Sequence, residues 1–224
     1  MSIVYATTAD SWVSNTSSST WGGARGDATT TGAGHNNSNT SYDWAVYNIY
    51  SGGRGGNTYS CRRSYFPFDL SGETGGGSAE SVELKIYMDN LGDTGDNDDV
   101  TIVEATALAG STDDFGNIFS RALDLGTELV TPISVSTTAG YHTFTLNSDG
   151  VTAVRNAITS SGTLTVGLIG DYYDFNGNVP SLNGDETKIQ AYYTDHGTSS
   201  FRPYLDITYA AAVTDSAIFF GTNF

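Results

Sequence analysis

The sequence predicts an all-β sandwich with one short helix and a long insertion in its N-terminal half. Two distant stretches carry that reading, Arg63 to Ser71 and Phe201 to Tyr209, because each alternates apolar and polar residues with the two-residue period of a strand. Further alternating segments of the same kind recur between turns rich in Gly, Asn and Asp, whereas helical periodicity occurs once.

The elements follow in order. Residues Ser2 to Ser14 hold Ile3, Tyr5, Trp12 and Val13, an apolar start suited to a first strand that pairs with the C-terminal one. Residues 15–57 form a polar insertion of Ser, Thr, Gly and Asn, yet Trp21, Trp44, Tyr47, Ile49 and Tyr50 interrupt it. Disordered segments are poor in aromatics, so an ordered loop with a strand near Trp44–Tyr50 is expected. Long ordered loops are often functional, which makes the insertion a candidate recognition surface. Gly52 to Gly56 reads as a turn, since it lacks the Lys-Ser/Thr of a phosphate-binding loop.

In the next strand Phe66, Phe68 and Leu70 face one side, and Pro67, having no N–H, marks an edge or a bulge. Val82, Leu84, Ile86 and Met88 point inward from a strand whose outward residues are Glu83, Lys85 and Tyr87, with Val100 to Ala105 as its expected hairpin partner. His142, Phe144 and Leu146 share a face. His142 reads as a surface or satisfied strand residue, because no second histidine lies at metal-ligand spacing. Ser148 or Asp149 caps a short helix, with Val151, Val154, Ala157 and Ile158 at helical spacing before Gly162, which supplies a turn or so of packing against a sandwich edge. Leu164, Val166 and Leu168, then Thr187 to Thr194, and finally Leu205, Ile207 and Tyr209 complete the strands.

Four of these segments, in order, resemble the DNRLRE domain, a jelly-roll module related to carbohydrate-binding modules. They are Phe68-Asp-Leu-Ser71 with Val82-Glu-Leu-Lys-Ile-Tyr87; His142 to Val154; Gly162-Thr-Leu-Thr-Val-Gly-Leu168; and Arg202-Pro-Tyr-Leu-Asp-Ile-Thr-Tyr209. The resemblance runs from about Tyr5 to Tyr209. It implies a jelly-roll β-sandwich, residues 1–209 as a single domain, and a module of a kind found in phage structural proteins as well as secreted bacterial ones. The 15–57 insertion departs from the family pattern, and no enzyme is attached.

Composition narrows the function. Twenty-five acids against nine bases give a net charge of −16. Nucleic acid and anionic membranes are thereby poor partners, since phosphate neutralisation needs a basic face. The lone Cys61 permits no intrachain disulfide and reads as a small buried residue. No run approaches the ~18 apolar residues of a membrane span, and the start Met1-Ser-Ile-Val-Tyr5 has no signal-peptide character. A phage protein released by lysis and built into a virion satisfies these observations.

Three groups of residues are candidates for chemistry. The loop Asp93-Thr-Gly-Asp-Asn-Asp-Asp99 places Asp93, Asp96, Asp98 and Asp99 close together. Calcium is the cation such a loop suits, although the EF-hand's distal Glu is missing; a bare acidic hairpin tip is the other reading. No cofactor is otherwise required. Gly170 to Gly177 combines Asp171, Tyr172, Tyr173 and Asp174. Aromatic faces beside hydrogen-bonding oxygens are what a sugar site needs, and the alternative has one tyrosine packed inward and the other shielding the sheet.

The third is the C-terminal tail, residues 210–224. Its Ile218, Phe219, Phe220 and Phe224 fold back on their own sandwich or insert into a partner, the second being expected. Catalysis is not expected, because no acid has an apolar setting that raises its pKa and no Gly-x-Ser-x-Gly elbow is present. The sequence thus predicts a non-enzymatic virion component, a capsid decoration, head fibre or tail protein, that assembles with itself and other virion subunits through its tail. Its alternative is a carbohydrate-binding module that attaches to a glycan surface.

Overall fold

A computed structural model describes residues 1–17, 20–26, 34–36, 42–53, 56–75, 78–90, 97–105, 118, 128–181 and 186–211. The chain is an all-β sandwich. Its strands are β1 (Ser2–Tyr5), β2 (Ser11–Ser17), β3 (Gly34–Asn36), β4 (Tyr42–Gly53), β5 (Gly56–Asp69), β6 (Ala79–Asn90), β7 (Asp99–Glu104), β8 (Ile133–Ser134), β9 (Gly140–Thr145), β10 (Thr163–Gly170), β11 (Thr187–Tyr192) and β12 (Tyr204–Tyr209). Helices α1 (Trp21–Arg25) and α2 (Ser148–Thr159) accompany them. Every paired strand is antiparallel, and the order runs β1-β12-β6-β11-β4-β5-β10-β7-β8, with β9 on β6 and β2 on β5.

Alternation along β6 sets the core. Val82, Leu84, Ile86 and Met88 are fully buried, and they meet Phe66 and Phe68 of β5, Leu164, Val166 and Leu168 of β10, and Leu205 and Ile207 of β12 in one cluster. Each such side chain contributes about 1.5–3 kcal/mol by leaving water. The first strand does pair with the last, Ser2 opposite Ile207 through Tyr5 opposite Tyr204.

Two expectations are corrected and one is kept. Pro67 sits at a local edge of β5: its pairing with β10 is regular, so there is no bulge, and on the other side the β2 ladder ends at Ser11 opposite Tyr65. The Pro67 carbonyl accepts from the Thr7 backbone N–H at 2.8 Å, on the side away from β10; the missing N–H therefore falls where the chain between β1 and β2 passes, and the β10 ladder loses nothing. Val100 to Glu104 lie in β7, which pairs with β10 and β8 and not with β6, so β6 and β7 are not hairpin partners. Helix α2 spans 12 residues before Gly162, as expected, but lays Val151, Val154, Ala157 and Ile158 into the main cluster, more than one turn of packing, and is capped by Asn147 rather than Ser148 or Asp149: its Oδ1 accepts from the Asp149 and Gly150 N–H groups at 3.0 Å.

The insertion explains why β5 is buried on both faces. α1, β2 and β7 lay Trp21, Ala24, Val13, Val103 and Ala105 against Cys61, Tyr65, Ile169 and Tyr173 in a second apolar cluster. Cys61 is fully buried there; its thiol donates to Asn48 Oδ1 at 3.2 Å, and burial pushes its pKa up. Among the described residues no helix is long and apolar enough to cross a membrane.

Candidate binding face

The Gly170–Gly177 segment begins with a π-helical turn, Asp171–Phe175, and half of its expected sugar site points inward. Asp174 is 1 % exposed and Arg63, opposite it, is 0 % exposed. Arg63 grips that carboxylate with both edges of its fork, Nε to Oδ2 at 2.6 Å and Nη2 to Oδ1 at 2.7 Å. Arg25 of α1 lies 3.6 Å from the same carboxylate and donates to the Asp174 carbonyl, while the Trp21 indole N–H donates to the Tyr173 carbonyl at 3.0 Å. Tyr173 is buried in the second cluster, with Asn97 donating to its hydroxyl at 3.2 Å. These groups lock the insertion to the sandwich.

Asp171 and Tyr172 remain at the surface of this turn. Tyr172 is exposed and meets Tyr173 edge to face at 5.0 Å. Burial first, and then the neighbouring Glu128 and Asp99 carboxylates, push the Asp171 pKa up to about 6. This corrects the expectation that no acid has a setting that raises its pKa. In the acidic loop, Asp98 is buried and Asp99 accepts from the Ser134 hydroxyl, whereas Asp93 and Asp96 lie outside the described residues. Among the described residues no group of three or more His, Cys, Asp or Glu is placed to hold a metal ion. Ile218, Phe219, Phe220 and Phe224 also lie outside the described residues.

The aromatic residues gather elsewhere, on the outer face of the layer built from β1, β12, β6, β9 and β11. With Leu84, Ile86, Phe144, Leu205 and Ile207 inside, strand alternation sends Lys85, Tyr87, Tyr141, Tyr204 and Asp206 outward. Register then sets them side by side. Tyr5 is opposite Tyr204, Tyr204 opposite Lys85, and Tyr87 opposite Tyr141. Ring centres follow one another from Tyr5 to Tyr204 (5.7 Å), to Tyr141 (5.5 Å), to Tyr87 (5.3 Å) and to Tyr192 (5.0 Å). Phe201, from the turn Ser199–Phe201, adds to the far end, 4.4 Å from Tyr87 and 4.9 Å from Tyr192, and His196 stands edge-on to Tyr192 at 4.6 Å.

Two rings are open to solvent, Tyr5 at 52 % and Tyr141 at 39 %, and the others form a half-buried floor. The Tyr141 hydroxyl donates to the Ser200 carbonyl at 2.6 Å and so ties the Ser199–Phe201 turn to β9. Burial, reinforced by Tyr204, Tyr5 and Tyr87, pushes its pKa up to about 12, so it is a hydrogen-bond donor at any physiological pH. Lys85 sits beside these rings, 3.1 Å from Glu83, 3.7 Å from Asp206 and 5.7 Å from the centre of the Tyr204 ring. Its charge is balanced within the face, and exposed Thr143 and Thr145 border it with hydroxyls.

Such a face can stack flat apolar surfaces and hydrogen-bond hydroxyls. No family model matches the chain, and no curated protein does.

Proposed function

We propose that this protein is a non-enzymatic recognition module that attaches the particle or cell bearing it to a glycan through the outer aromatic face. One observation carries the reading: tyrosines from β1, β12, β6, β9 and β11 converge on one solvent-facing patch. A buried position gives an aromatic ring its stability, but these rings stand outward on strands whose cores are already filled. Aromatic faces next to hydroxyls and paired charges suit the mixed apolar and hydroxylated faces of a sugar. The resemblance of four segments to the DNRLRE domain, a relative of carbohydrate-binding modules, points the same way.

A glycan array probed with the parent chain and with Tyr204→Ala tests this. Binding of the parent to a defined glycan set, lost in a variant that still melts cooperatively, supports the reading; equal binding by both, or none by the parent, removes it.

A second reading places the chain in a phage virion, assembled through residues 210–224. The sequence of that tail favours it, with four large apolar residues among the last seven. Its test is particle size with and without residues 210–224: an oligomer that becomes a monomer on truncation supports assembly, and an unchanged size opposes it. Both readings hold together if the face serves attachment and the tail serves assembly.

A further inference from the structure

Resting on the recognition reading above, we propose that the aromatic face takes a neutral oligosaccharide of at least two sugar units, with Tyr5 and Tyr141 stacking on different units and Tyr204 beneath the linkage between them.

Geometry gives the minimum length. Tyr5 belongs to β1 and Tyr141 to β9, and the intervening strands are β12 and β6. Three interstrand spacings separate the two backbones, about 14 Å, and the two ring centres, each within 5.7 Å of the Tyr204 ring, lie at most about 11 Å apart. Tyr204 lies between the two rings, 5.7 Å from the centre of one and 5.5 Å from the centre of the other. The two most exposed rings of the face thus stand on the two outer strands of this set, β1 and β9, and the ring between them is half-buried. A single pyranose placed on Tyr5 leaves Tyr141 bare. A chain of two or three units covers both and passes over Tyr204 and Lys85.

Charge gives the class. Lys85 is paired with both Glu83 and Asp206, and the Glu83 side chain is 43 % exposed, so among the described residues the centre of the face offers a sulfate or carboxylate no unpaired cation. Asp89 and Asp195 flank the same strands, and the chain as a whole carries a net −16. A polyanionic glycan meets repulsion at long range, and at short range the cation bordering the patch without an ion pair among the described residues is Arg202, whose Nε is buried. Hydroxyl groups, by contrast, find partners in Thr143, Thr145, Glu83 and Lys85 without any charge to neutralise.

The experiment is calorimetric titration of the full chain with neutral homo-oligosaccharides of one to six units, drawn from the best family on the array, beside a uronic-acid and a sulfated series of equal length. The expected result is affinity that rises about tenfold or more from one unit to three and then levels off, since each added ring contact acts within an already bound chain. Tyr5→Ala, at an exposed position, is expected to return the three-unit ligand to about the affinity of a shorter one. A monosaccharide that binds as tightly as the trimer overturns the chain-length claim while leaving glycan recognition intact. Tighter binding of the uronic or sulfated series overturns the neutral class. Binding of no sugar at any length overturns the recognition reading itself. The length series on the parent chain decides the matter even where a variant fails to fold.

Discussion

Replacing Asp174 with Asn strikes the buried ion pair that holds the Asp171–Phe175 turn on β5. The change keeps the shape of the side chain and removes its charge, leaving the Arg63 guanidinium, 0 % exposed, without the carboxylate it grips at 2.6 and 2.7 Å. Arg25, 3.6 Å from the same group, loses that carboxylate as well. Breaking a buried pair from one side costs about 3–5 kcal/mol, because the remaining charge stays desolvated. At about 2–4 °C per kcal/mol for a chain of this length, the melting temperature is expected to fall by about 6–20 °C in a calorimetric scan. Removing both partners is the control. Arg63→Met with Asp174→Leu exchanges the pair for apolar volume, and its loss is expected to be smaller than that of the single change. An Asp174→Asn variant within about 1 kcal/mol of the parent refutes the claim that this buried pair holds the Asp171–Phe175 turn on β5.

Three other outcomes follow from single sites. Asp10 is 2 % exposed; its Oδ2 accepts from the Thr194 N–H at 2.7 Å and hydroxyl at 2.8 Å, and burial, the leading cause, raises its pKa from 3.8 to about 7. The folded chain therefore binds a proton that the unfolded chain releases near pH 4, so this contribution is complete below about pH 4 and is lost as pH rises through 7; Asp10→Asn is expected to flatten urea-measured stability across that window. Gly150→Ala, although alanine is the better helix former, is expected to destabilise by about 1–3 kcal/mol, because its Cβ meets the Leu129 carbonyl oxygen at 2.7 Å and Leu146 Cγ at 2.8 Å. Asn147→Ala removes the α2 cap and its bond to the Glu128 carbonyl, and a loss of about 1 kcal/mol in chemical denaturation is expected.

Much of the scaffold was legible from period alone. Inward residues of β6, β9, β10 and β12 fall where alternation puts them, because one face of each strand is buried and a one-residue slip exposes the whole set. β5 was harder to read. Its inward residues Phe66, Phe68 and Leu70 are clear, but Tyr65 and Pro67 are buried too, and Tyr65 lies under an insertion whose Ser- and Gly-rich sequence gives no hint that Trp21 and Ala24 cover the sheet. The Tyr172–Asp174 run stands out through composition, yet the π-helical turn points Tyr173 and Asp174 inward, a rotation that no local pattern encodes. Conversely, Tyr87 and Tyr204 read correctly as outward residues of separate strands. Their meeting with Tyr5 and Tyr141 depends on register between strands far apart in sequence, and a strand's own alternation does not specify its neighbour's offset.

The central claim is where the ligand sits, and tyrosine ring resonances report it directly. In a sample with labelled tyrosine rings titrated with the best neutral oligosaccharide, the signals of Tyr5, Tyr141 and Tyr204 are expected to shift together, while that of fully buried Tyr193 stays fixed. Shifts confined to Tyr172, with the sheet face unmoved, contradict the account.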